Sequence, residues 1–197
     1  MRPGTMLQER VVAICRQALA QGRERRLAVH TPAQWRSWQA LVLDAVRAPF
    51  PPALFDRSSD VEAKTVSTQD FADFRLENVV FASLPGWEVN ASVYLPRAPG
   101  AYPGVVCPTG HSDKTGPSYQ QPAQVLARGG YIAVSFDPPG CSGELAHLND
   151  HFTNGLVGYL TGFWSQTHFV LDALRCLDYL QTRRDVDHTA GLSITGV

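Results

Sequence analysis

The spacing of apolar residues changes partway along this chain, from a helical period to a strand period. Leu7, Val11, Ile14, Ala18 and Leu19 recur close to every 3.6 residues, which predicts a helix over 6–25. Thr31-Pro32-Ala33-Gln34 offers a threonine N-cap, proline at the first helical position and glutamine at the third, a capping-box pattern. Trp35, Trp38, Leu41, Val42, Ala45 and Val46 then share one face, and Pro49, Pro51 and Pro52 end the segment. The two tryptophans are expected to pack in the core or against the cap. Residues 50–70, rich in Pro, Ser and Asp, are expected to form a connector.

Beyond residue 70 the pattern is that of strands. Phe74–Ala82 and Trp87–Leu95 alternate or run apolar around a Leu84-Pro85-Gly86 turn. Tyr102–Cys107 is a short apolar run followed by the loop 108–118. Tyr119–Arg128 reads as a helix closed by Gly129-Gly130. Tyr131–Phe136 is a further strand ending at Asp137. A helix over about 165–182 carries the stripe Val170, Leu171, Leu174, Leu177 and Leu180. Gly191–Thr195 is the last strand. Strands alternating with helices, the later strands apolar throughout, predict an α/β fold with a mainly parallel sheet covered on both faces. The expected division is a helical extension and connector over 1–70 and an α/β domain over 71–197.

Bulk properties narrow the function classes. The 197 residues are 44% hydrophobic and 18% charged, with a formal net charge of -1. That balance offers no electrostatic footprint for nucleic acid or an anionic membrane surface. No apolar run approaches the roughly 18 residues of a membrane span. Val11–Cys15 is too short and too closely flanked by Glu9, Arg10 and Arg16 for a signal segment. Cys15, Cys107, Cys141 and Cys176 are far apart and form no C-x-x-C pair, which implies reduced thiols and a cytoplasmic protein.

The order of the motifs is informative. Strand 102–107 leads to Pro108-Thr109-Gly110-His111 and then a helix. Gly130–Asp137 follows, then Gly140–Glu144, then Leu177-Asp178-Tyr179-Leu180 with Asp185-Val186-Asp187 leaving the helix. This succession resembles the first half of an α/β-hydrolase, and within that superfamily the dienelactone-hydrolase and acetyl-xylan-esterase-like group. Cys141-Ser142 places one residue more between the glycines of the third stretch than that group has. The resemblance covers roughly residues 71–197.

The resemblance implies a serine hydrolase acting on a small-molecule ester, with no cofactor and no metal. It makes the loop 110–116 the source of one oxyanion-hole donor, the backbone N–H of His111 or Ser112. It makes Gly196 the first glycine of a G-x-S-x-G elbow and Val197 its x, so the nucleophile is expected directly after Val197. The acid and histidine of the triad are expected later still, leaving these residues inactive by themselves.

Other candidate chemistry is weaker. Ser142 and Ser193 lack the glycine-lined turn an elbow needs. Lys114 is expected to be solvated, and Asp137 and Glu144 to organise the loop after their strand. His147, Asp150 and His151 have a ligand-like spacing but are expected in a lid-like loop. His168 and His188 are expected at the surface or as caps. Two alternatives stand beside the esterase: a non-catalytic binding or assembly half, self-associating through an exposed edge at Gly191–Val197, and a peptidase of the same superfamily. A nucleotide-binding domain is disfavoured because no G-x-G-x-x-G follows the first parallel strand.

Overall fold

A computed structural model describes residues 4–55, 58, 60–110, 112–141, 151–160 and 164–196. The chain divides into two compact units, one up to Pro51 and one from Pro52 onward.

The first unit holds helices α1 (Met6–Leu27) and α2 (Pro32–Arg47). The capping box is made as the sequence implies. Gln34 N donates to Thr31 Oγ1 at 3.2 Å, and Thr31 N donates to Gln34 Oε1 at 3.0 Å. Neither helix contains a buried residue. Within this unit Trp35 is 45% exposed and stacks on Trp38 with ring centroids 5.1 Å apart.

The second unit is a six-stranded sheet flanked by helices. Its strands are β1 (Ala63–Asp70), β2 (Phe74–Leu84), β3 (Trp87–Pro96), β4 (Gly104–Pro108), β5 (Ile132–Phe136) and β6 (Leu192–Ile194). The helices are α3 (Pro117–Arg128), α4 (His151–Leu160) and α5 (Gln166–Thr182). The sheet order is β1-β2-β3-β5-β4-β6. Pairs β1/β2, β2/β3 and β3/β5 are antiparallel, whereas β5/β4 and β4/β6 are parallel. The α/β class is therefore present, in a mixed sheet whose parallel part is β5-β4-β6.

Two elements depart from the sequence reading. Residues 63–70, read as connector, form the edge strand β1. All of its residues are exposed, so it has no apolar alternation to betray it. Residues 151–160, read as loop, are the helix α4, with Gly155 and Gly158 inside it.

Strand alternation separates the core into two layers. Val106, Val134, Val93, Ala91 and Phe136 point to the face that α5 covers with Cys176, Tyr179 and Leu180. Val105, Cys107, Ala133 and Tyr94 point to the opposite face, where α3 brings Ala123 and Ala127. The small side chains there let α3 lie close to the sheet. The turn out of α3 uses Gly130 at φ +86°, a conformation an L side chain rarely adopts. Cys107, Cys141 and Cys176 are buried, Cys15 is exposed, and none forms a disulfide. Among the described residues no helix is long and apolar enough to cross a membrane.

Candidate active site

The connections of the parallel strands fix where chemistry fits. From β4 the chain passes through α3 to β5 on one side, then through α5 to β6 on the other side of β4. Connections thus diverge around β4, and ligands of open α/β sheets bind beyond the carboxyl ends of strands at such a switch point. The loop 109–116 leaves β4 there, residues 137–141 leave β5, and Thr195-Gly196 leave β6. Thr195 N still donates to Val106 O at 2.9 Å, so Gly196 stands just past the end of β4's pairing.

The loop after β4 is tied down twice. Thr109 Oγ1 donates to Phe136 O at 3.0 Å. Five residues on, Lys114 N donates to Asp137 Oδ1 at 2.7 Å and Lys114 Nζ meets Asp137 Oδ2 at 2.6 Å. Asn90 Nδ2 donates to the same Oδ2 at 3.1 Å, and Asp137 N donates to Asn90 O at 3.1 Å. Between the ties, Gly110 passes so close to Tyr119 that an added Cβ would lie 2.6 Å from its hydroxyl. Asp113 closes the end of the loop, accepting from Thr115 N at 2.8 Å and also from the Thr115 hydroxyl. These bonds hold the Asp113 carboxyl below the usual range.

The candidate residues fall as follows. Ser112 is in this loop and exposed; His111 and Val197 lie outside the described residues; Gly196 is exposed. Ser193 is within β6, opposite Val105. Ser142, Glu144, His147 and Asp150 lie outside the described residues, as does the side chain of His151. Among the described residues no group of three or more His, Cys, Asp or Glu is arranged to hold a metal ion. His188 is exposed, with Nε2 3.2 Å from Arg183 O.

Two expectations, for Lys114 and His168, are corrected. Lys114 is 5% exposed, not solvated, because Asp137 compensates its charge. Asp137 turns both its oxygens toward Lys114 and Asn90 and so organises the loop after β4; most of the loop after its own strand lies outside the described residues. His168 is half-buried and stacks on Trp87, ring centroids 4.3 Å apart. The Lys114–Asp137–Asn90 cluster is the part of the site that sequence reasoning missed. Its one signal was compositional, since lysine occurs only at Lys64 and Lys114 in a chain that otherwise uses arginine.

Buried thiols near the site are poor nucleophiles. Burial pushes Cys107 up to about 11, and burial followed by the charges of Asp137 and Asp113 raises Cys141. A cleft of about 340 Å3, lined by Arg75, Arg97, Tyr102 and Asp185, lies toward the amino end of β5.

A second buried carboxylate has a measurable consequence. Asp172 on α5 is 2% exposed and accepts from Trp87 Nε1 at 3.4 Å. Burial pushes its pKa up to about 6, with the Ser83 hydroxyl and the Trp87 indole opposing in part. The folded chain therefore binds more protons than the unfolded chain between about pH 4 and pH 6. Stability from this group is present below the unfolded pKa and is lost as pH rises through the folded one. Asp172→Asn is expected to flatten that slope and to raise stability at pH 7 by about 2 kcal/mol. Urea unfolding at pH 4.5 and pH 7 checks this; a variant less stable than the parent at pH 7 contradicts it.

No family model and no curated protein matches this sequence. Solved structures do. A Bacteroides fragilis protein classed with the acetyl xylan esterases superposes with a TM-score of 0.66 at 18% identity, over 85% of this chain and 48% of that one. The chain has the α/β-hydrolase fold. A methylesterase superposes with a TM-score of 0.58 at 24% identity, over 73% of this chain and 31% of that one. An acetyl xylan esterase from a Paenibacillus species gives 0.52 at 17%, over 79% and 50%. The chain therefore spans half or less of the length of these structures. At such identities the likeness carries the fold, and function is argued from the site.

Proposed function

We propose that this chain supplies the oxyanion side of a serine hydrolase that acts on small-molecule esters in the cytoplasm. The observation that carries the reading is the loop 109–116, held at two points at the switch point, beside strand β6, which leads into Thr195-Gly196. Acyl transfer builds negative charge on the carbonyl oxygen, and a preorganised N–H there removes much of the barrier. The N–H of His111 or Ser112 serves as that donor. A serine directly after Val197 attacks the acyl carbon, activated by a histidine that a carboxylate orients. The esterase names of the structural neighbours favour an ester over the peptide bond.

The test is covalent labelling of a polypeptide in which these residues run on beyond Val197. A serine-directed phosphonate is expected to label the residue after Val197 and abolish hydrolysis of p-nitrophenyl acetate. Full activity after labelling elsewhere overturns the reading. Faster turnover of p-nitroanilides than of the esters would favour the peptidase alternative.

One observation favours a non-catalytic assembly half. Strand β6 pairs with β4 on one side and has no partner on its other side among the described residues, and its Ile194 is 56% exposed. An unpaired apolar edge is a template for association. The 197-residue polypeptide is expected to sediment as dimers or larger species, and Ile194→Lys to shift it toward monomer. A clean monomer at high micromolar concentration contradicts this.

A further inference from the structure

We propose that Lys114 is a positioning residue for the oxyanion loop, acting through a buried clamp with Asp137 and Asn90. The proposal rests on the functional reading above. Among the described residues Lys114 is the buried cation, with its side chain 6% and that of Asp137 3% exposed. Desolvating such a pair gains little stability over an apolar pair of the same volume. Its geometry does something an apolar pair cannot. One carboxylate accepts from Lys114 twice, from the backbone N–H through Oδ1 and from the ammonium through Oδ2. The side chain thus folds back beside its own backbone, and both ends of the residue are fixed by one partner. Ser112 stands two residues before this lock and three after the Thr109 tie to Phe136 O.

The partner is itself held in place. Asp137 follows β5 directly, its N–H donates to Asn90 O, and Asn90 Nδ2 donates back to its Oδ2. Strands β3 and β5 therefore set the carboxylate, and the carboxylate sets the loop. A donor contributes most to an oxyanion when it has no reorganisation left to undergo. The clamp also explains lysine in place of arginine. A guanidinium prefers both carboxylate oxygens in a fork, and Oδ1 is already taken by the loop's own N–H. The ammonium is a single point charge that meets Oδ2 and leaves Oδ1 to the N–H.

Lys114→Met and Lys114→Met/Asp137→Asn are compared in the longer polypeptide, with kcat, KM and urea midpoint as readouts. The double variant removes both buried charges and leaves an amide oxygen to accept the N–H of residue 114, so it guards against failure to fold. Both variants are expected to lose about tenfold to a hundredfold in kcat with KM within about twofold, because removal of one oxyanion donor costs about 10²–10³. The double variant is expected to recover stability without recovering kcat. A folded double variant with parental kcat overturns the proposal, as does a loss confined to KM. A parent with no phosphonate-sensitive activity overturns the functional reading and takes this proposal with it. In the 197-residue polypeptide, amide exchange over residues 110–113 is expected to quicken at least tenfold in the double variant, and unchanged exchange also overturns the clamp.

Discussion

A preparation of the 197 residues alone is expected to hydrolyse p-nitrophenyl acetate no faster than its heat-denatured control. Loss of the nucleophile by itself costs a serine hydrolase about a millionfold, and the sequence contains no G-x-S-x-G elbow. Among the described residues none is placed to substitute for it. Ser193 sits within β6 rather than on a turn, and His188 is turned toward a main-chain carbonyl at the end of α5. Cys107 has a thiol pushed up to about 11 and is protonated at neutral pH. On the proposed reading the second oxyanion donor, the N–H after the serine, comes from beyond Val197. The measurement is initial rate against a denatured blank, followed by phosphonate treatment. Turnover above the blank that the phosphonate removes would place a working nucleophile inside residues 1–197.

What the sequence made legible follows from period and caps. Strands β2 to β5 and helices α3 and α5 bury one face or two, so burial imposes an apolar period that can be read directly. Helix α2 was announced by Thr31 and Gln34, whose bonds are local and need no tertiary information. Strand β1 escaped because it is held by backbone pairing to β2, and backbone pairing leaves no mark on Lys64, Thr65 or Ser67. The stripe of α2 gave the right element without saying what it packs against. Its tryptophans stack on one another, and period alone does not say what covers a face.

The candidate site divides in the same way. The loop after β4 and the strand leading to Gly196 were legible as motifs because their residues are contiguous in the sequence. The clamp was not, because Asn90, Lys114 and Asp137 come from three separate elements and none has a local pattern. A lone lysine in a polar loop reads as solvated. Only the return of β5 beside β4 brings a carboxylate within 2.6 Å and makes burial affordable.

That cluster also carries the largest expected effect on stability. Asp137→Ala is expected to cost the 197-residue chain about 3–5 kcal/mol, because removing one partner leaves the other as an uncompensated buried charge. Three donors lose their acceptor at once: the Lys114 ammonium, the Lys114 N–H and the Asn90 amide. A surface comparison sets the scale. Asp70 bonds both Arg75 at 2.8 Å and Arg97 at 2.5 Å, so its polar contacts rival those of Asp137 in number. Its side chain is 48% exposed, however, and water replaces the lost partner. Asp70→Ala is therefore expected to leave the urea midpoint close to that of the parent. Urea denaturation of both variants beside the parent distinguishes the two environments directly. Similar losses from Asp137→Ala and Asp70→Ala would mean that Lys114 reaches solvent once its partner is gone, and that the loop it anchors is free to lift from β5.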